Sequence, residues 1–304
     1  MVRKATLEPI TWVDAIAGRP VVATALGSVG VSTSGLFVAF SATSPGTATL
    51  FRCVFALPAL IPLAVSERRH RGGPTRSQHL WAACAGLLFA ADAMLWTQAI
   101  HEVGVGLSAV LVNTQVMMVP VLARLVDGEP LSGRFLALLP AVAVGVVLTG
   151  GLVDAGVTGT DPVAGTVHSA LAALCYSVFL FLLRRGGTDR PLVQSYSTIM
   201  VSAAAAAVIG GSVWGGLTWS PGWAAMGWLV LTALCGQVLG WLLIALGGPG
   251  LKAEIGSALL LLTPVSALVL GAACLAEAPS GTQLLGCLMI LGCAYLITAN
   301  PGRG

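Results

Sequence analysis

Charge is scarce in this chain. Asp, Glu, Lys and Arg make up 9 % of its 304 residues, against roughly 25 % in a soluble domain, while hydrophobic residues reach 56 %. A water-soluble fold would lack the polar side chains to cover its surface, so that class is excluded. Paired cysteines are missing too. Cys53, Cys84, Cys175, Cys235, Cys274, Cys287 and Cys293 all fall inside apolar stretches, none forms Cys-x-x-Cys, and no histidine stands beside them at metal-ligand spacing. They read as reduced packing residues. There is no phosphate-binding loop, no nucleophile constellation and no soluble domain to house an ATPase; catalytic residues, metals and cofactors are therefore expected to be absent. The net charge of +3 is dispersed over short connections and forms no basic face, so no nucleic-acid partner is expected. No short apolar segment with a small-residue cleavage site opens the chain, which argues against a cleaved signal peptide.

What the chain has instead is long apolar runs. Ten can be marked, at about 21–40, 46–65, 79–99, 104–126, 133–153, 162–183, 191–213, 222–246, 252–274 and 281–300. Each is long enough to cross about 30 Å of hydrocarbon as a helix. Numbering the connections alternately puts fourteen of the fifteen Lys and Arg residues on one side, from Arg3, Lys4 and Arg19 to Arg303, and none on the other. Basic short loops stay cytoplasmic, so both termini are expected there, with residues 1–19 and Trp12 as an interfacial lead-in. The basic loops and the Gly- and Ala-rich composition point to a bacterial inner membrane, with lipids as surroundings. Trp81, Trp96, Trp214, Trp219 and Trp223 suit interfacial anchoring or the lining of a vestibule.

The chain also repeats. Ser108-Ala-Val-Leu-Val-Asn-Thr114-Gln115 matches Ser257-Ala-Leu-Leu-Leu-Leu-Thr263-Pro264 at an offset of 149, and Glu129-Pro-Leu-Ser132-Gly133 matches Glu277-Ala-Pro-Ser280-Gly281 at 148. Two halves of five spans follow, 20–153 and 162–300. Five is odd, so the second half enters the membrane from the other side. The expected fold is an all-α integral membrane protein of ten transmembrane helices, arranged as two inverted five-helix repeats. Transporters use such repeats, with the solute site near mid-membrane between the halves.

Ten spans, the Glu-x-x-Ser-Gly pattern at Glu129 and Glu277, Pro264 thirteen residues before Glu277, Arg52 near the start of span two and Gly286/Gly292 in span ten together resemble the EamA-type family of the drug/metabolite transporter superfamily. The resemblance covers residues 20–300 and implies export of small metabolites, such as amino acids or drugs, from the cytoplasm. One departure is that span four carries Gln115 where span nine has Pro264, its own Pro120 lying five residues later. On that reading the first kink sits more than one turn from its mate.

Polar residues inside the spans are the candidates for function. A mid-membrane charge costs about 2.5–3.5 kcal/mol on insertion scales, so Arg52 and Asp92 need a reason. Arg52 lies about six residues, roughly 9 Å, inside one end of its span, and Asp92 about seven, roughly 10 Å, inside the same end of the next. They are expected to pair on the cavity side, with Arg52 free to hold a substrate carboxylate; the alternative is that Arg52 snorkels and Asp92 bonds a neighbouring helix. Asp92 is also a proton-coupling candidate, as is His168, whose duller reading is packing. Trp96 shares a helical face with Asp92. Asn113, Gln115 and Gln237 lie mid-span, to orient a solute or to bond helix to helix; Asn113 and Gln115 point about 200° apart, so at most one faces a cavity well. Glu129 and Glu277 read as structural helix-end residues that tie helices together, each followed by an N-cap serine. Gly236-x-x-x-Gly240 permits close helix contact.

These features point to a secondary transporter that exports small organic solutes, amino acids or related metabolites, by alternating access, acting as a monomer or a homodimer. Efflux of hydrophobic drugs, an integral-membrane enzyme on lipid-linked substrates and a membrane scaffold are the other readings.

Overall fold

The computed structural model describes residues 18–151, 159–185, 191–247, 251 and 253–299. Most of the lead-in with Trp12, and Arg3, Lys4, Arg190, Lys252 and Arg303 of the charge pattern, lie outside the described residues. The apolar runs form helices because nothing in hydrocarbon can satisfy a backbone polar group except the chain itself. They are α1 (Pro20–Ser41), α2 (Pro45–Arg71), α3 (Arg76–Val103) and α4 (Val105–Asp127), then α5 (Gly133–Thr149), α6 (Pro162–Arg185), α7 (Leu192–Gly215) and α8 (Trp223–Gly247). In α9, Ala253–Leu260 continues as Leu262–Leu275, and α10 is Gly281–Ala299. No strand occurs among the described residues. Local chemistry starts and stops these helices. Thr75 and Gln78 form a capping box that opens α3, and Ser132 Oγ and Ser280 Oγ accept from the backbone N–H three residues on, at Phe135 and Gln283, to open α5 and α10.

The halves are inverted and interlocked. The start of α2 meets the end of α7, where Ser44 Oγ donates to the Gly216 carbonyl at 3.0 Å, and the end of α2 meets the start of α7, where Gln194 N donates to Glu67 Oε2 at 2.9 Å. In the same antiparallel sense Gly145 and Thr149 of α5 pack on Gly286 and Cys287 of α10, and Gly106 of α4 packs on Leu268 of α9. Each of these helices thus lies against its own counterpart, running the opposite way. The other main contacts come in matched pairs, α1 on α8 with α6 on α3, and α1 on α9 with α6 on α4. Neither half buries its helices alone.

Both fourth helices break at matching heights. Around Asn113 and Thr114 the bonds tighten to i→i−3, with Thr114 Oγ1 donating to the Leu111 carbonyl at 2.7 Å; α9 breaks at Leu261, just before Pro264. The kink expected more than a turn away from its mate is therefore not displaced. The break in α4 comes from this hydroxyl-assisted tightening rather than from Pro120. Glycines draw the helices together. Gly236 and Gly240 of α8 meet Ser34 and Val31 of α1, and Gly46 of α2 faces the backbone of Gly211 and Gly216. A methyl at Gly46 meets fixed backbone, so Gly46→Ala should lower the thermal midpoint in detergent by several degrees. Gly227→Ala meets nothing within 4 Å and should leave it unchanged or higher.

Candidate functional site

The polar centre forms where α2, α3, α7 and α8 meet. Arg52 sits seven residues into α2 and is 4 % exposed. Its guanidinium can only donate, so the Gln237 amide turns its oxygen towards it. That oxygen accepts from Arg52 Nε at 3.1 Å and from Nη2, while the Gln237 nitrogen donates to Tyr196 Oη at 2.9 Å. Gln237 lies in a π-helical stretch of α8, Thr232–Gly240, a widened turn of the kind found at functional sites. Tyr196 stacks on Trp241 with ring centroids 3.7 Å apart and planes 5° apart. The Arg52 Cζ atom lies 5.5 Å from the Trp96 ring centroid and 5.9 Å from that of Phe89, contacts that stabilise a desolvated cation by about 2 kcal/mol. Arg52 is thus held inward by two hydrogen bonds and two rings rather than snorkelling. Its Nη1 is buried without a partner, an open donor in an enclosed polar centre.

Asp92 is buried beside this centre, within electrostatic reach of Arg52 and also of Tyr176 and Cys175 on α6. It does not form the expected ion pair. A carboxylate–imidazole contact forms elsewhere, between Glu102 and His168. The reason is depth. Helix α3 runs four residues past its expected end, to Val103, which puts Asp92 about 16 Å from that end while Arg52 lies about 10 Å from the end of α2. The residue of α3 at the height of Arg52 is Trp96. That aromatic therefore forms part of the wall of the centre and does not serve as an interfacial anchor; Trp214, Trp219 and Trp223 are exposed at the end away from the basic residues.

Asn113 and Gln115 lie at the break of α4. Each leaves a buried atom without a hydrogen-bond partner, Nδ2 of Asn113 and Oε1 of Gln115. A donor and an acceptor are thus open where the helix is interrupted. Asn113 sits one turn on from Ala109, which packs in the same cluster as Trp96. His168 is not in the centre but at the non-basic end, against Glu102.

The paired glutamates differ. Glu277 Oε1 accepts from Val105 N at 2.6 Å and Oε2 from Gly106 N at 3.0 Å, so it caps the first turn of α4, a helix of the other repeat. There its charge complements the positive end of α4. Gly104, with φ of 90°, and Gly271 leave it room; a Cβ at either would collide with the carboxylate. Glu129 is exposed at the basic end.

Sequence reasoning missed Tyr196, Tyr176 and Glu102 as members of the polar clusters. A usable signal existed for the tyrosines. The chain has only three, all within the apolar spans, and a phenol buried in lipid needs a partner. Two apolar grooves open on the outside of the bundle. One, of about 540 Å³, runs past Met117, Met118, Leu125, Leu139 and Leu171; the other, of about 340 Å³, lies between Leu87, Met94 and Trp214. Neither is lined by Arg52, Asp92 or Gln237.

The sequence profile of the EamA-like transporter family matches residues 19–151 and again residues 164–299. No curated protein matches the chain. A solved structure described only as "Crystal structure of protein" shares the fold at 16 % identity, with a TM-score of 0.53, over 95 % of this chain and 96 % of its own.

Proposed function

The chain belongs to the EamA-like transporter family, a multi-pass membrane transporter of the drug/metabolite transporter superfamily, and from that premise we propose that it exports small zwitterionic metabolites, amino acids or their relatives, by alternating access. Members of the family are transporters and not enzymes. The observation that carries the substrate class is the open Nη1 of Arg52, inside an aromatic-walled and enclosed centre. A guanidinium nitrogen left without an acceptor favours a carboxylate partner through a charge-assisted hydrogen bond, and Asp92 nearby supplies a counter-charge for an amine. Asn113 and Gln115 add an open donor and acceptor at the interrupted helix, where transporters of this build expose polar backbone to solute.

The charge pattern supports cytoplasmic termini, and with the composition it supports a bacterial inner membrane. The small solute and the surrounding lipids are the partners of this reading, with no nucleic acid, and a monomer or a homodimer serves it equally. The test is flux of labelled amino acids and of a lipophilic cation from liposomes containing only this protein. Carboxylate-bearing solutes should move and saturate; movement of the lipophilic cation alone would favour hydrophobic drug efflux through the methionine-lined groove instead. Asp92→Asn should slow flux and change its dependence on pH. Rates identical to the unchanged protein at every pH would remove Asp92 from the cycle.

A further inference from the structure

A second cluster of titratable groups lies outside the Arg52 centre. At the end of the bundle away from the basic residues, His168 Nδ1 donates to Glu102 Oε2 at 2.6 Å, and Glu102 Oε1 accepts from Gln98 Nε2 at 2.7 Å. The His168 ring faces Trp214 with centroids 5.9 Å apart. The Glu102 side chain is 11 % exposed and that of His168 is 23 %, so the carboxylate is mostly shut in while the imidazole still reaches the surface. Backbone contacts lock the same corner, where Asp161 N donates to the Glu102 carbonyl and Thr160 Oγ1 to that of His101. The other titratable groups near it are His101 beside Glu102, Asp161 at the start of α6, and Glu277 beyond Gly104. Helix α7 brings only the Trp214 ring, and the charged residues of α4 stand at its far end.

The inverted repeat supplies an internal comparison. The contact of α3 with α6 has a mirror in that of α8 with α1. There Gly247 meets Thr24 and Gly27 meets Gly240 and Ile244, and neither helix contains an acid, a histidine or a base. Within the two helices themselves this packing uses no charge, and Arg19 stands just before α1. The acid and imidazole on one side only are thus not a requirement of packing, and they cost desolvation in a closed corner.

We propose that Glu102 and His168 form a proton-binding site, distinct from the Arg52 centre and reached from the end opposite the basic residues. The pair exists in full only with Glu102 ionised and His168 protonated. Loss of the proton from His168 leaves a neutral hydrogen bond and a carboxylate with one charged partner fewer. Gain of a proton by Glu102 breaks the ion pair. Either step changes the strength with which α3 is held to α6 at this corner. The part played by this proton in driving flux rests on the transporter reading; the existence of the site does not.

Two measurements keep these apart. The first is infrared titration of the full chain in liposomes without solute, comparing the unchanged protein with Glu102→Gln and His168→Gln. The Glu102 carboxyl band should vanish in Glu102→Gln, and its midpoint should move by about one pH unit or more in His168→Gln, the size expected of coupled groups. A carboxyl band indifferent to His168→Gln would overturn the site. The second is flux as external pH is varied. The pH response should flatten in both single variants, with the double variant no worse than either. An unchanged pH profile, with the infrared coupling intact, would overturn the link to transport and leave the proton site standing. Both variants should fold, because the mirror corner is built from glycine and threonine.

Discussion

Glu277→Ala is expected to destabilise the protein by about 2–4 kcal/mol, through two backbone donors left buried without acceptors. Val105 N and Gly106 N at the head of α4 have no partner within their own helix, as is true of any first turn, and both oxygens of Glu277 are committed to them. The carboxylate also lies at the positive end of the α4 dipole. A thermal or denaturant series in detergent should register a drop of several degrees or more. Glu277→Gln keeps one acceptor oxygen and should fall between. The matched change Glu129→Ala removes an exposed side chain and should leave the midpoint where it was. Equal losses at both positions would contradict the assignment of Glu277 as a clamp between repeats.

Arg52→Ala is expected to reduce solute flux by about tenfold to a hundredfold, the size of one charge-assisted hydrogen bond of about 1.5–3 kcal/mol. Two effects add. The solute loses its carboxylate partner, and the Gln237 oxygen loses both donors, which loosens the Gln237–Tyr196–Trp241 stack. Arg52→Lys keeps the charge and the contact with the Trp96 ring but offers a point charge where a fork stood. It should therefore retain more flux than alanine and less than arginine. Because Arg52 is turned inward and not towards headgroups, normal flux in both variants is not compatible with its placement here.

Much of the architecture was legible because it rests on local pattern. Apolar runs of crossing length, basic residues on alternate connections and the two short matches at offsets of 149 and 148 require no knowledge of tertiary contacts. The serines that open α5 and α10 could be read from position alone. The centre was legible residue by residue but not as an arrangement. Arg52 and Gln237 stand 185 positions apart, and no local signal announces that α2 and α8 are neighbours across the pseudo-axis. The Arg52–Asp92 pairing failed on a boundary, since His101 and Glu102 interrupt the hydropathy and hide the last turn of α3. Four extra residues shift a side chain by about 6 Å, more than a salt bridge tolerates. The same hidden turn concealed Glu102 as the partner of His168. Glu277 was legible as a helix-end residue, whereas its target, the first turn of α4 in the other repeat, follows only from the way the halves interlock.

The central claim is that solute binds at Arg52, between the two repeats. A density map of the protein in nanodiscs, prepared with the amino acid that gives the highest flux, tests it most directly. The account predicts solute density within hydrogen-bond distance of Arg52 Nη1, flanked by the Trp96 ring. Density confined to the apolar groove beside Met117 and Met118, with the Arg52 centre unchanged, would contradict it.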